Sequence, residues 1–116
     1  MARYRLAPAV RSDVVEILAH SEINFGSEAR RRYRALLEAA FALVADRPQR
    51  LGAIARPDLG NGYMAFHLRH CPKRTVATGR VLRPRHMLFY RIVGPGFVDI
   101  LRVLHDRMEA HRHLED

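Results

Sequence analysis

The strongest constraint on the fold is a stripe of apolar residues in the first half of the chain. Ala29, Tyr33, Leu36, Leu37, Ala40, Phe41 and Val44 recur at helical spacing, while Arg30, Arg31, Arg32 and Arg34 ring the other side. This pattern predicts a helix with one buried face. It stops before Pro48, because the residue preceding a proline avoids the helical region. An earlier apolar period, Val10, Val14, Ile17 and Leu18, predicts a helix from Ala9, with Ser12 and Asp13 on its polar side. Gly26 is placed to end that helix in a left-handed conformation and Ser27 to cap the next one. Helix, Gly-Ser, helix reads as an αα-hairpin with antiparallel arms.

The surface that such a hairpin needs is supplied by the second half. His86 to Val93 and Phe97 to His105 read as two strands joined at Gly94-Pro95-Gly96, a tight antiparallel connection. Their centres, Met87-Leu88-Phe89-Tyr90 and Ile100-Leu101-Arg102-Val103-Leu104, are apolar on both faces apart from Arg102, as expected of strands covered by helices. Tyr63 to Leu68 is a third strand, and Tyr4 to Ala7, closed by Pro8, a short first one. Residues Gln49 to Gly62, with Gly52, Pro57, Gly60 and Gly62, read as a loop. Arg69 to Arg85 reads as a long polar connection, and Asp106 to Leu114 as a short charged helix. The expected architecture is α+β, in the order β-α-α-β-β-β with a C-terminal helix, the αα-hairpin packed on one face of a small antiparallel sheet.

At 116 residues the whole chain, 1–116, is expected to be one domain. Cys71 is the only cysteine, so an intrachain disulfide is excluded and a reducing cytoplasm fits. The opening Met1-Ala2-Arg3-Tyr4-Arg5 leads into a strand pattern rather than a secretory leader, and no apolar run approaches the ~20 residues of a membrane span. The expectation is a soluble cytoplasmic protein. Its formal charge is +8, carried by arginine, with Lys73 the single lysine. A charge of this sign favours an acidic partner, either nucleic acid or an acidic protein segment, and arginine suits planar, bidentate contacts with phosphate or carboxylate.

The side chains that carry chemistry narrow the choice further. His111 and His113 are two residues apart and diverge on a helix. His67 and His70 have no acidic neighbour in the sequence, so neither pair predicts a zinc site. No metal or other cofactor is expected. A nucleophile elbow, a phosphate-binding glycine loop and a dinucleotide fingerprint are absent from the sequence. Three basic clusters remain. The first, Arg30 to Arg34, reads as a solvated helical face. The second, ending at Arg83 and Arg85, sits in a connection too long for a mere turn, since loops above ~12–15 residues are usually functional or disordered. The third comprises Arg91, Arg102, His105, Arg107 and Arg112. Arg102 fits either a salt bridge, with Asp99 or Glu16 as partner, or a charge lining the open face of the sheet; the second is favoured. Arg91, Arg102, His105, Arg107 and Met108 together are expected to form a basic rim around an apolar anchor, the form of a binding patch.

The same residues carry a family likeness. Tyr4-x-Leu6, Asp13-Val-Val-Glu16-Ile17, the Gly26 break, and Ala29-x-x-x-Tyr33 with Leu36-Leu37 resemble the front half of ParE proteins of the RelE/ParE superfamily. His86-Met-Leu-Phe-Tyr90-Arg91, then Ile100-Leu-Arg-Val-Leu-His105-x-x-Met108 and His113-Leu114, resemble the back half still more closely. The likeness spans nearly the whole chain and departs from the commoner pattern in the long Arg69–Arg85 connection. It implies a toxin of a type II, plasmid-stabilisation-like toxin–antitoxin pair, held in a hetero-oligomeric complex by a ParD-like antitoxin with an acidic, partly disordered tail.

The likeness also implies DNA gyrase as the target, whereas RelE-like relatives cut messenger RNA on the ribosome. The RelE-like reaction typically uses a C-terminal tyrosine together with basic residues of the sheet to activate a ribose hydroxyl and stabilise the phosphate transition state. Here the tyrosines are Tyr4, Tyr33, Tyr63 and Tyr90, none after the last strand, although His105 is available as a base. Gyrase inhibition by binding, without catalytic residues, therefore ranks first. Ribosome-dependent endoribonuclease activity ranks second, and a non-toxic basic nucleic-acid-binding module third.

Overall fold

The computed structural model describes residues 3–72 and 81–114. A short strand β1 (Arg3–Leu6) leads into helices α1 (Pro8–Phe25) and α2 (Ser27–Asp46); strands β2 (Ala53–Ala55), β3 (Tyr63–His67), β4 (His86–Gly94) and β5 (Phe97–His105) follow. Pro8 opens α1 rather than only closing the strand, since its fixed φ and missing N–H suit the first helical position. Gly26 separates the helices at φ 92° and ψ 173°, a conformation left essentially to glycine. Ser27 does not cap α2 through its side chain; it is the first helical residue, and Gly26 holds the cap position.

The strands form one sheet in the order β1-β5-β4-β3-β2. The expected meander β3-β4-β5 is antiparallel, and β1 lies parallel to β5, with Leu6 opposite Ile100. β2 is a correction to the loop expected between Gln49 and Gly62: Ala53-Ile54-Ala55 pairs with Met64-Ala65-Phe66, a run too short to show a period. The hairpin packs on one face. Val10 and Leu18 of α1 and the Tyr33, Leu36, Leu37, Ala40, Phe41 and Val44 stripe of α2 meet Phe66, Leu88, Tyr90, Val98 and Ile100. The opposite face carries a smaller cluster, Ala65, Phe89, Leu104 and Ala110, with Met87 and Leu114 against it.

The C-terminal segment that covers this smaller cluster is not the charged helix expected from Asp106 to Leu114. It turns after His105 and makes a single 3-10 turn, Ala110–Arg112. Its polar groups are used elsewhere, Asp106 by His67 and Arg85 and the His113 carbonyl by Arg102. Of the long connection expected between Arg69 and Arg85, residues 73–80 lie outside the described residues.

Candidate functional site

β1 stops at Leu6, opposite Ile100, so the second half of β5 has no strand on that side. α1 fills the gap with one side chain. Asp13, expected on the polar side of the helix, is only 8% exposed; its Oδ2 accepts the Val103 backbone N–H at 2.9 Å. A bulge between Phe89 and Tyr90 skips Leu101 in the register and places Arg102 opposite Phe89. From there its guanidinium grips the same carboxylate with two bonds, Nε to Oδ2 at 2.8 Å and Nη2 to Oδ1 at 2.7 Å, and Nη1 donates to the His113 carbonyl at 2.8 Å. The Asp13 hydrogen bond holds the guanidinium pKa above its ordinary value. Arg102 is thus an internal ion pair. Its partner is Asp13, not the Asp99 or Glu16 anticipated, and it is not a free charge on the sheet.

Beside this pair lies a cleft of about 190 Å³ whose lining includes Glu16, His86, His105, Met108 and His113. Two of these histidines have their proton positions set by neighbours. Tyr33 Oη accepts the Arg85 N–H at 3.3 Å and stands 2.5 Å from His86 Nδ1, so its proton goes to that nitrogen and the His86 proton sits on Nε2. Burial, reinforced by His105 nearby, lowers the His86 pKa to about 4, and burial raises that of Tyr33 to about 12. Both are neutral at pH 7. His105 packs edge-on against His86, ring centroids 5.4 Å apart. Its Nδ1 accepts the Arg107 N–H at 3.2 Å, and in that tautomer the 3.3 Å approach of Nδ1 to Asp106 is not an ion pair.

Asp106 joins the strand ends behind the cleft. Its Oδ2 meets His67 Nε2 at 3.1 Å and its Oδ1 meets Arg85 Nη2 at 3.2 Å; these bonds, led by His67, hold its pKa below the usual carboxylate value. His67, buried and accepting the Arg69 N–H on Nδ1, was without an acidic neighbour in the sequence because that neighbour is supplied 39 residues later. Sequence reasoning placed Asp13 on the polar side of α1 and His86 at the start of a family motif, but gave neither a part in the site.

Of the residues expected to act together, the structure collects Arg102, His105 and Met108 at the cleft, with Arg107 exposed beside them. Arg91 is elsewhere. It lies opposite Asp99 and shares that carboxylate with Arg5, at 3.6 Å against 2.9 Å. Six residue steps along β5 lead from Asp99 to His105, roughly 20 Å at ~3.3 Å per residue. Arg83 is exposed, and Arg85 is engaged with Asp106. Among the described residues there is no group of three or more histidine, cysteine or acidic side chains placed to hold a metal ion, and no helix long and apolar enough to cross a membrane.

The chain is similar to known proteins. A family model described as "ParE toxin of type II toxin-antitoxin system, parDE" matches residues 4–110. A Mycobacterium tuberculosis protein named Toxin ParE1 is 32% identical over 113 residues, covering 97% of this chain and 98% of its own. A Toxin ParE1 of Caulobacter vibrioides is 34% identical over 116 residues, covering 98% and 99%. A solved structure titled "Chromosomal ParDE TA system from P. aeruginosa" shares the fold at a TM-score of 0.59 and 20% identity, covering 90% of this chain and 96% of that one. The chain belongs to the family of ParE toxins of type II toxin–antitoxin systems.

Proposed function

We propose that this toxin acts by binding, that its target is DNA gyrase, and that a ParD-like antitoxin neutralises it in a hetero-oligomeric complex. The observation that carries the binding reading is the Asp13–Arg102 pair. A cleaving toxin needs a free cation at the reacting site to stabilise a phosphate transition state, and the strand arginine beside the cleft, Arg102, is neutralised by a bidentate carboxylate. Gyrase is the target that the ParE likeness implies. The contact surface is the rim of the cleft, His105, Arg107 and Met108, with Arg102 positioning the tail that bears the last two. Met108 is 49% exposed, an apolar anchor among polar groups.

For the antitoxin, the exposed Val15, Ile23 and Phe25 of α1 offer apolar sites on the helical hairpin, and the charge of +8 suits an acidic segment that orders on binding. Complex formation should then survive moderate salt, and dissociation by salt alone would remove the apolar part of this reading.

The second reading, ribosome-dependent cleavage of messenger RNA, is favoured by one feature: His105 on the rim, with Nδ1 occupied by the Arg107 N–H and Nε2 left for chemistry. Two assays separate the readings. Purified protein should inhibit gyrase supercoiling, and primer extension on translated messenger RNA should show no new ends. Cuts at codon-fixed positions with supercoiling unaffected would reverse the order.

A further inference from the structure

From Leu59 to Val98 the sequence contains no Asp or Glu and seven Arg or Lys residues. The topology decides where the described part of that charge goes. β3 and β5 both run antiparallel to β4, with His67 opposite Met87 and His86 opposite His105. The end of β3, the start of β4 and the end of β5 therefore lie at one end of the sheet. Arg69 follows the first, Arg83 precedes the second and Arg107 follows the third, and all three are exposed.

Of the acids near this end, Glu16 lines the cleft beside Arg102, and the others among the described residues are already engaged. Asp106 is held by His67 and Arg85, and Glu109 by Arg112 at 3.1 Å. No ion pair among the described residues involves Arg69, Arg83 or Arg107. The arginines of α2 differ in this respect: Arg30, Arg31 and Arg34 each have a glutamate, Glu22, Glu28 and Glu38.

We propose that this end of the sheet is a duplex DNA-binding surface, with Arg69, Arg83 and Arg107 contacting backbone phosphates. Three guanidinium groups without carboxylates form an anion site by charge alone, and guanidinium geometry suits phosphate oxygens. Adjacent strands are ~4.8 Å apart, so the outer two of the three strand ends stand about 10 Å apart, within the ~6–12 Å range of duplex groove widths. A single strand is a poorer fit. Such sites stack bases on aromatic rings, and the exposed aromatic residues, Tyr4 and Phe25, belong to β1 and the far end of α1. An acidic peptide would find Leu82 and Met108 as exposed apolar side chains beside these arginines, while Ile23 and Phe25 of the hairpin lie elsewhere; poly-glutamate as a probe separates it from duplex. The surface shares Arg107 with the target-binding rim proposed above, but it does not rest on gyrase. It gives the toxin its own hold on the DNA that a gyrase-directed protein meets.

The test uses the purified full chain and a fluorescently labelled 20-base-pair duplex, followed by anisotropy between about 50 and 200 mM salt. With each phosphate contact contributing ~0.9 to the slope, log K should fall against log salt with a slope of about −2.7, whatever the duplex sequence. The R69A/R83A/R107A variant should bind at least tenfold more weakly at low salt, with its slope approaching zero. R30A/R31A/R34A removes the same charge from paired positions and should stay within about twofold of the parent. Circular dichroism melting verifies that both are folded; if the first triple variant is not, Arg83→Glu, at an exposed position, should still weaken binding severalfold. Equal loss in both triple variants would reduce the effect to net charge and overturn the proposal. So would tighter binding of poly-glutamate than of duplex through Arg69, Arg83 and Arg107, or binding that R69A/R83A/R107A leaves unchanged. Gyrase is absent throughout, so this surface and the gyrase reading can each fail alone.

Discussion

Two buried carboxylates, Asp13 and Asp99, each hold an arginine with two hydrogen bonds in different halves of β5, and they do different work. Asp99 lies within β5 and takes Arg5 of β1 at 2.9 Å through both oxygens, stapling a paired strand that backbone bonds already hold. The Arg5 side chain is 66% exposed, so water shares its charge. Asp13 lies on α1 and stands where a strand is missing. It accepts the Val103 N–H, neutralises Arg102, whose side chain is 23% exposed, and through Arg102 fixes the tail at the His113 carbonyl. The chemistry is the same, but the number of groups orphaned by its loss is not. The second pair can be replaced by solvent far less easily.

The sharpest way to break this comparison is mutation of the two acids. Asp13→Ala should cost on the order of 3 kcal/mol, because it leaves a partly buried guanidinium and a buried N–H unpaired. Asp99→Ala should cost about 1 kcal/mol, since Arg5 rehydrates. Urea denaturation midpoints of the two variants would measure the difference, and equal losses would show that the missing strand is irrelevant. A double replacement, Asp13→Leu with Arg102→Met, should recover only part of the loss, as the Val103 N–H stays without an acceptor.

A smaller effect is expected from His86, which connects the cleft to Tyr33. Its folded pKa of about 4 lies below the ordinary value of 6.5. The unfolded chain therefore binds more protons between those values, and stability falls as pH drops from 6.5 toward 4. Groups facing it include Tyr33, His105, Asp106, His20 and His67. The loss should be on the order of 2 kcal/mol after allowance for partial hydration, and His86→Gln should flatten that part of a stability-against-pH curve. The bridged carboxylates do not obscure the window: Asp58, held by Arg56, has its pKa lowered to about 2, and Asp106 lies below its usual value too, so both titrate at lower pH. A curve equally steep in the variant would mean that another group is responsible.

The smallest effect on stability belongs to Arg107→Ala, within about 0.5 kcal/mol for an exposed side chain without a partner among the described residues. Its effect on function should be the reverse: growth arrest and supercoiling inhibition reduced with the melting temperature unchanged. Full toxicity in a stably folded Arg107→Ala protein would move the contact surface away from the cleft rim.

The apolar patterns of the sequence alone determined α1, α2 and the β4–β5 hairpin, because each pattern is local: one stripe per helix, a short apolar run per strand, and a glycine where the backbone must turn. The arginine excess and the motifs near Asp13, Tyr33 and His105 were legible in the same way. Only the tertiary structure decided which of those residues remain free. Arg102 looks available in the sequence, but Asp13 reaches it across 89 positions. Asp106 reads as the start of a helix until His67, 39 positions away, and Arg85 take its carboxylate. Arg91 looks adjacent to Arg107 until the strand register places it about 20 Å away. The physical reason is common to all three: a hydrophobic period is set by neighbours three or four residues away, whereas a charge is neutralised by whatever the folded chain brings within about 4 Å, at any separation in sequence.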